Sequence, residues 1–128
     1  EQKIIYSHTP VTEDKSKPDF IFPNIEAYRD KTYPEVELTM LGAKSTCKDR
    51  WRQVLSEAER IERKHLLTLE SAISENQTNE MINKKLQLVL PSPIHETYTL
   101  KQRAWLYSVK MFLEEVKEKQ KFYERKQI

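Results

Sequence analysis

The sequence predicts an α/β fold, in which a sheet is flanked by helices. Short apolar runs typical of buried strands occur at 38–45, 65–69 and 86–90. The segments between these runs carry helix-start signals or apolar residues at the spacing of an amphipathic helix. Strand–helix–strand units need crossover connections, which place neighbouring strands parallel.

The chain begins with an extended arm and a loop over residues 1–17. The β-forming residues 19–22, bounded by Pro18 and Pro23, then predict a first strand, because proline interrupts the hydrogen bonding of a strand. A long connection follows over 23–36, and long loops in compact domains are frequently functional.

The strand at 38–45 leads into a predicted helix. Thr46 stands at the N-cap position and Asp49 follows three residues later, as in a capping box. The apolar stripe of this helix is Trp51, Val54, Leu55, Ala58 and Ile61. Ser74 with Gln77 predicts the start of a second helix, which runs to about Lys85.

A long helix is predicted from Thr99. Its apolar face carries Trp105, Val109, Phe112, Leu113 and Val116. With 128 residues, the chain is expected to form one domain over 1–128, divided into the arm at 1–17, a core at 18–116 and a charged helix end at 117–128. Because the first residue is Glu1, we expect the chain to be the C-terminal portion of a larger protein.

Composition excludes several classes of protein. The only glycine, Gly42, excludes glycine-rich phosphate loops, and the only cysteine, Cys47, excludes an internal disulfide and a zinc site built on cysteines. No apolar run is long enough to span a membrane, so no membrane partner is expected. The single cysteine fits a reducing, cytoplasmic setting. Since the net charge is only +2, any binding of nucleic acid must depend on where the charges lie.

Asp19 and Lys44 are the first candidates for chemistry. Asp19 opens one predicted strand and Lys44 ends the next, so adjacent strand ends can bring them together. A carboxylate can bind Mg²⁺, and a nearby lysine can activate water or stabilise charge on a phosphate. Taken alone, the pair is more commonly a capped strand end beside a surface lysine.

The start of the helix after Lys44 is unusually basic. Lys48, Arg50 and Arg52 accompany Asp49 there, although cations at a helix N-terminus oppose the helix dipole. These side chains could contact DNA phosphates or base edges, or they could form a solvated face with Asp49 as a capping residue. Glu57, seven residues after Arg50, is predicted to project from the same helix edge, or else to be an ordinary exposed helical glutamate.

The residues from Lys44 to Leu55, with Pro18-Asp19 upstream, resemble the catalytic C-terminal domain of EcoRII-type restriction enzymes, within the PD-(D/E)XK nuclease superfamily. Gly42 occupies the place of the usual acidic residue, and Glu57 is similar to the migrated acid of one branch of these enzymes. Further similar stretches are at 65–69, 74–77 and 88–91, so the resemblance covers about residues 17–115.

The resemblance implies a restriction-endonuclease-like mixed sheet flanked by helices, lacking its N-terminal part. It also implies a type II site-specific deoxyribonuclease that hydrolyses DNA at a CCNGG- or CCWGG-like site. Asp19 and Glu57 would bind Mg²⁺, Lys44 would be the catalytic lysine, and Tyr28 and Arg50 would belong to the active site.

For DNA recognition, the resemblance implies that 48–50 reads the CC:GG part of double-stranded DNA. It further implies a homodimer acting on two-fold related half-sites, in a bacterial or archaeal cell. Because 1–17 is too short for the helix and strand that precede Pro18-Asp19 in this fold, the isolated chain is expected to be inactive.

Two alternatives stay open. The first is a non-catalytic DNA-binding module that uses the helix at 48–52, and it predicts salt-dependent DNA binding that is indifferent to Asp19. The second is a protein-interaction domain with charged helices, and it predicts no DNA affinity.

Overall fold

A computed structural model describes residues 3–10, 18–46 and 50–126 of the protein. Within these ranges, five strands form one mixed sheet in the order β1-β2-β3-β4-β5. The strands are β1 (Ser7–His8), β2 (Phe20–Phe22), β3 (Thr39–Lys44), β4 (Lys64–Thr68) and β5 (Leu86–Val89). The pairs β1–β2 and β2–β3 are antiparallel, whereas β3–β4 and β4–β5 are parallel. The α/β prediction is confirmed.

Helices occupy the connections between strands. They are α1 (Ile25–Arg29), α2 (Trp51–Val54), α3 (Glu75–Asn83), α4 (Leu100–Arg103) and α5 (Val109–Lys126), with short 3-10 helices at Glu35–Glu37 and Ser92–Thr97. The predicted start of α3 is confirmed, since the Ser74 side chain accepts a hydrogen bond from the Gln77 backbone N–H at 3.3 Å. The long connection at 23–36 contains α1, whose N-cap is Asn24.

The helix predicted after Thr46 is wrong in its extent. As far as the structure describes it, α2 begins at Trp51, with Arg50 as its N-cap, and ends at Val54. Asp49, the other half of the predicted capping box, lies outside the described residues. Ala58 has a positive φ of 51°, which an α-helix does not allow. The predicted apolar stripe is nevertheless core: Trp51, Val54, Ala58 and Ile61 are buried.

The prediction of a single long helix from Thr99 is also wrong, because the helix is interrupted between α4 and α5. There the backbone N–H of Tyr107 donates to the carbonyl of Leu88, and the N–H of Leu90 donates to the carbonyl of Tyr107. This parallel bridge beside β5 satisfies edge groups of the sheet that a continuous helix would leave unpaired.

The sheet has an apolar cluster on each face. Successive strand residues point to opposite faces, so Met40 and Leu66 pack toward Trp51 and Val54 of α2, on what we call the α2 face. Leu41 packs on the other side, the α5 face, in a cluster with Phe22, Val89, Phe112 and Val116. In the ranges given above, no helix has the length and apolar character needed to cross a membrane.

Candidate active site at the Asp19 and Lys44 strand ends

Asp19 lies immediately before β2, beside the end of β3. The antiparallel register pairs Phe20 with Leu41, which places Asp19 next to the last residues of β3. The Asp19 carboxylate oxygen Oδ2 accepts a hydrogen bond from the backbone N–H of Ala43 at 2.6 Å. Because a carboxylate held by a backbone donor has a fixed orientation, the acid is anchored one residue from Lys44.

Lys44 is the last residue of β3 and is half-buried. It shares a strand face with Gly42, the position where an acidic residue is expected. A Cβ atom on Gly42 would lie 3.2 Å from Cγ2 of Val54 and 3.7 Å from Cδ1 of Leu66. The close packing of α2 against β3 therefore disfavours an acidic side chain at position 42, because Val54 would have to shift to admit even its Cβ atom.

Glu57 supplies a carboxylate from the turn that follows α2. Its atom Oε1 is buried and has no hydrogen-bond partner among the residues that the structure describes. Burial raises the pKa of Glu57, the nearby positive charges of Lys44 and Lys64 oppose this shift, and the negative charge of Asp19 adds to it. Lys44 and Asp19 are thus both within electrostatic reach of Glu57.

The structure brings these three residues together by a different route from the one predicted. Glu57 was expected on one helix edge with Arg50, but the helix ends at Val54 and Glu57 lies on the turn beyond it. Its position is therefore set by the contacts of the turn rather than by helical spacing.

The predicted DNA-binding residues are described only in part. Lys48 and Asp49 lie outside the described residues, and Arg50 is an exposed N-cap. Arg52 donates through Nη2 to Oε1 of Glu80 on α3 at 2.6 Å, and its guanidinium lies 4.4 Å from the ring centre of Trp51. The side chains of this ion pair are 45% and 40% exposed, and exposed pairs of this kind contribute little to stability.

Tyr28 is buried in the core, with 2% of its surface exposed. Its hydroxyl accepts a hydrogen bond from the backbone N–H of Arg60 at 3.1 Å. The Arg60 guanidinium in turn donates to the carbonyls of Tyr28, Asp30 and Tyr33. These contacts tie Tyr28 to the segment three residues beyond Glu57, and a catalytic role for it stays a prediction.

Lys64 is the residue near this site that sequence reasoning missed. It is the first residue of β4, it is buried at 5% exposure, and its ammonium contacts the turn that carries Glu57. The strand was predicted to begin one residue later, at His65. A lysine at the start of an apolar strand run was the available signal.

The donors at this site suit a hard divalent cation. No group of three or more His, Cys, Asp or Glu side chains that could hold a metal ion occurs in the described part of the chain. Mg²⁺, however, is commonly held by one or two carboxylates, with water and substrate phosphate completing its coordination. The anchored carboxylate of Asp19 and the buried Oε1 of Glu57, which has no hydrogen-bond partner in the described part of the chain, fit that requirement.

Solved structures with the same fold identify the class. The chain matches metal-depleted Ecl18kI in complex with uncleaved, modified DNA with a TM-score of 0.79, at 19% identity, over 94% of this chain and 41% of that chain. A second structure, metal-depleted Ecl18kI in complex with uncleaved DNA, matches with a TM-score of 0.75 at 21% identity, over 91% of this chain and 39% of that one. The fold is that of a type II restriction-endonuclease-like domain.

The sequence comparison is more specific. The family described as EcoRII C terminal matches residues 1–113, and the chain belongs to this family. It is 44% identical to the type II restriction enzyme EcoRII of Escherichia coli over 106 residues, and this stretch covers 83% of the chain. The chain spans about a quarter of the length of that enzyme, 26%.

Proposed function

We propose that this domain hydrolyses phosphodiester bonds of double-stranded DNA in a Mg²⁺-dependent reaction, at a CCNGG- or CCWGG-like site. The observation that carries the proposal is the grouping of Asp19, Lys44 and Glu57, with a buried oxygen of Glu57 that has no partner among the described residues. Membership of the EcoRII C-terminal family supports the same reaction.

Asp19 and Glu57 are the proposed ligands of Mg²⁺. The N–H of Ala43 holds the Asp19 carboxylate in one orientation, and the turn after α2 presents Glu57. When bound, Mg²⁺ supplies a Lewis acid that polarises the phosphate and lowers the pKa of a coordinated water. Both carboxylates must be ionised for binding, and the charge of Lys44 favours ionisation of Glu57.

Lys44 is the proposed catalytic lysine. Its position at the end of β3, one residue from the anchor of Asp19, places a cation where the scissile phosphate would approach the carboxylates. A fixed cation there stabilises the additional negative charge that develops on the phosphate oxygens during hydrolysis.

DNA recognition is proposed for the segment between β3 and α2 together with the start of α2. Arg50 and Arg52, with Lys48, can donate to phosphates and to the guanine edge, and Asp49 can accept from cytosine N4. A target with two-fold related half-sites also calls for two copies of the domain, so we propose a homodimer.

Cleavage of a plasmid that contains CCNGG sites, with the full-length protein and Mg²⁺, tests the proposal. Asp19→Ala and Lys44→Ala are each expected to slow cleavage at least about a hundredfold, equivalent to about 2.7 kcal/mol of transition-state stabilisation. Lys101→Ala, which removes an exposed lysine of α4, is the matched control and should cut like the wild type.

Binding measurements distinguish the alternatives. The catalytic proposal fails if the full-length protein binds a CCNGG duplex but never cuts it with Mg²⁺ or Mn²⁺. Salt-dependent binding that ignores Asp19, without cleavage, would favour a DNA-binding module, and absence of DNA binding would favour a protein-interaction domain.

A further inference from the structure

Lys64 is a charged side chain buried on the α2 face of the sheet. Its ammonium Nζ donates to the carbonyl of Ala58 at 3.0 Å and also to the carbonyl of Ile61. Burial of an ammonium is unfavourable unless hydrogen bonds and opposite charge compensate for lost hydration. The two carbonyls provide the hydrogen bonds, and the carboxylate of Glu57 lies within electrostatic reach.

The carbonyls that Lys64 contacts belong to the turn that presents Glu57. The N–H of Glu57 donates to the carbonyl of Val54 at 3.1 Å, and the N–H of Ile61 donates to the carbonyl of Ala58 at 2.9 Å. Ala58, directly after Glu57, has a φ of 51°, a conformation that is strained for a residue with a Cβ. The surroundings must hold this conformation, and Lys64 bonds the carbonyl of that same residue.

We propose that Lys64 is a positioning residue, which fixes the turn at 58–61 and thereby holds the Glu57 carboxylate toward Asp19 and Lys44. The proposal rests on the proposed function, in which Glu57 is a metal ligand. It gives a reason for a lysine at a core position. Packing of Val54 against Gly42 disfavours an acid at position 42, and the turn that carries Glu57 instead contains the strained residue Ala58 and needs support.

Lys64→Met tests this role in the full-length protein. The variant keeps the length of the side chain and removes its charge and its donors. Gln102→Met is the matched control, because Gln102 of α4 is also buried and donates to a backbone carbonyl, that of Ile73 at 2.8 Å. The readouts are the Mg²⁺ dependence of DNA cleavage and the binding of Mn²⁺ measured by electron paramagnetic resonance.

We expect Lys64→Met to weaken Mn²⁺ binding and to raise the half-saturating Mg²⁺ concentration by roughly 10- to 100-fold, the usual effect of losing a group that orients a metal ligand. Gln102→Met should leave both quantities at their wild-type values, and Lys64→Arg should restore most of the loss because it keeps the charge and the donors. If Lys64→Met does not fold, Lys64→Gln, which keeps one donor, is measured in its place with the same expected direction.

A double variant separates positioning from general support of the core. If Lys64 acts through Glu57, adding Lys64→Met to Glu57→Gln has no further effect on Mn²⁺ binding, whereas independent effects would add. Additive losses, or unchanged metal dependence in the single variant, overturn the proposal. If Glu57→Gln alone leaves metal binding and cleavage intact, the assignment of the active site fails instead.

Discussion

Glu57 and Glu115 lie on opposite faces of the same sheet, and their surroundings differ. Lys64 and His65 are consecutive residues of β4, so their side chains point to opposite faces. Lys64 bonds the turn that carries Glu57, whereas Nε2 of buried His65 lies 3.5 Å from Oε2 of Glu115 on α5. The first two residues of β4 therefore contact the surroundings of both carboxylates, Lys64 on the side of Glu57 and His65 on the side of Glu115.

The Glu115 carboxylate has both a hydrogen-bond donor and an ion-pair partner within the protein. It accepts a hydrogen bond from the hydroxyl of Tyr107 at 2.7 Å, and it pairs with the guanidinium of Arg63 at 3.4 Å. The contact with His65 is the largest cause of a pKa lowered to about 2, and the Tyr107 hydroxyl and the Arg63 charge lower it further against the effect of burial. This network fastens α5 to the sheet and has the character of a structural anchor.

The Glu57 carboxylate, by comparison, has fewer partners among the described residues. Burial raises its pKa, and its Oε1 lacks a hydrogen-bond donor within the described ranges. A half-buried carboxylate that gains so little from its own chain decreases stability, and such groups are found where a ligand completes them. The difference between the two sites teaches that a charge with complete partners stabilises the fold, whereas one without them points to function.

The largest expected effect comes from placing an acid at position 42. Gly42→Asp should lower the free energy of unfolding by about 3 kcal/mol or more, because the new side chain meets Val54 and buries a charge. Urea denaturation measures the loss, and adding Val54→Ala should recover part of it. A fully stable Gly42→Asp variant would contradict the view that packing forces the acid onto the turn.

A smaller loss of stability is expected when the Glu115 network on the α5 face is weakened. Glu115→Gln should lower the free energy of unfolding at pH 7 by about 1.5–3 kcal/mol, since it weakens hydrogen bonds to a charged group, while cleavage by the folded protein stays near the wild-type rate. A large loss of cleavage without a loss of stability would show that the two faces are not separate in role.

The pH dependence of stability follows from the same network. The pKa of Glu115 is lower in the folded protein, about 2, than its usual value of 4.5, so its stabilisation is present above pH 4.5 and is lost as the pH falls toward 2. Burial lowers the pKa of His65 below its usual 6.5, so acidification below that pH also favours unfolding. Glu115→Gln should flatten the decline between pH 4.5 and 2, which denaturation across pH can measure.

Local patterns were sufficient for most of the sheet and for the adjacency of Asp19 to the end of β3. Apolar runs predicted β3, β4 and β5, and adjacency of strand ends predicted that Asp19 and Lys44 meet. Glu57 was also singled out, but from helical spacing that the structure does not have. Apolar spacing in sequence specifies which residues enter the core, not whether a helix or a turn carries them.

The remaining errors come from contacts between distant residues. The turn that follows α2 is bonded by Lys64, whose ammonium donates to the carbonyls of Ala58 and Ile61. The break between α4 and α5 depends on Tyr107 pairing with the edge of β5. Such interactions override helix propensity and leave no local pattern in the sequence.

The most direct test of the central claim is the effect of Mg²⁺ on thermal unfolding of three proteins: the wild type, Glu57→Gln and Glu115→Gln. At Mg²⁺ ten times its Kd, the wild type should gain about 1.4 kcal/mol from binding, and Glu115→Gln should gain the same from its lower baseline. Glu57→Gln should melt at or above the wild-type temperature without metal and gain little from Mg²⁺. A full Mg²⁺-dependent gain in Glu57→Gln would contradict the account.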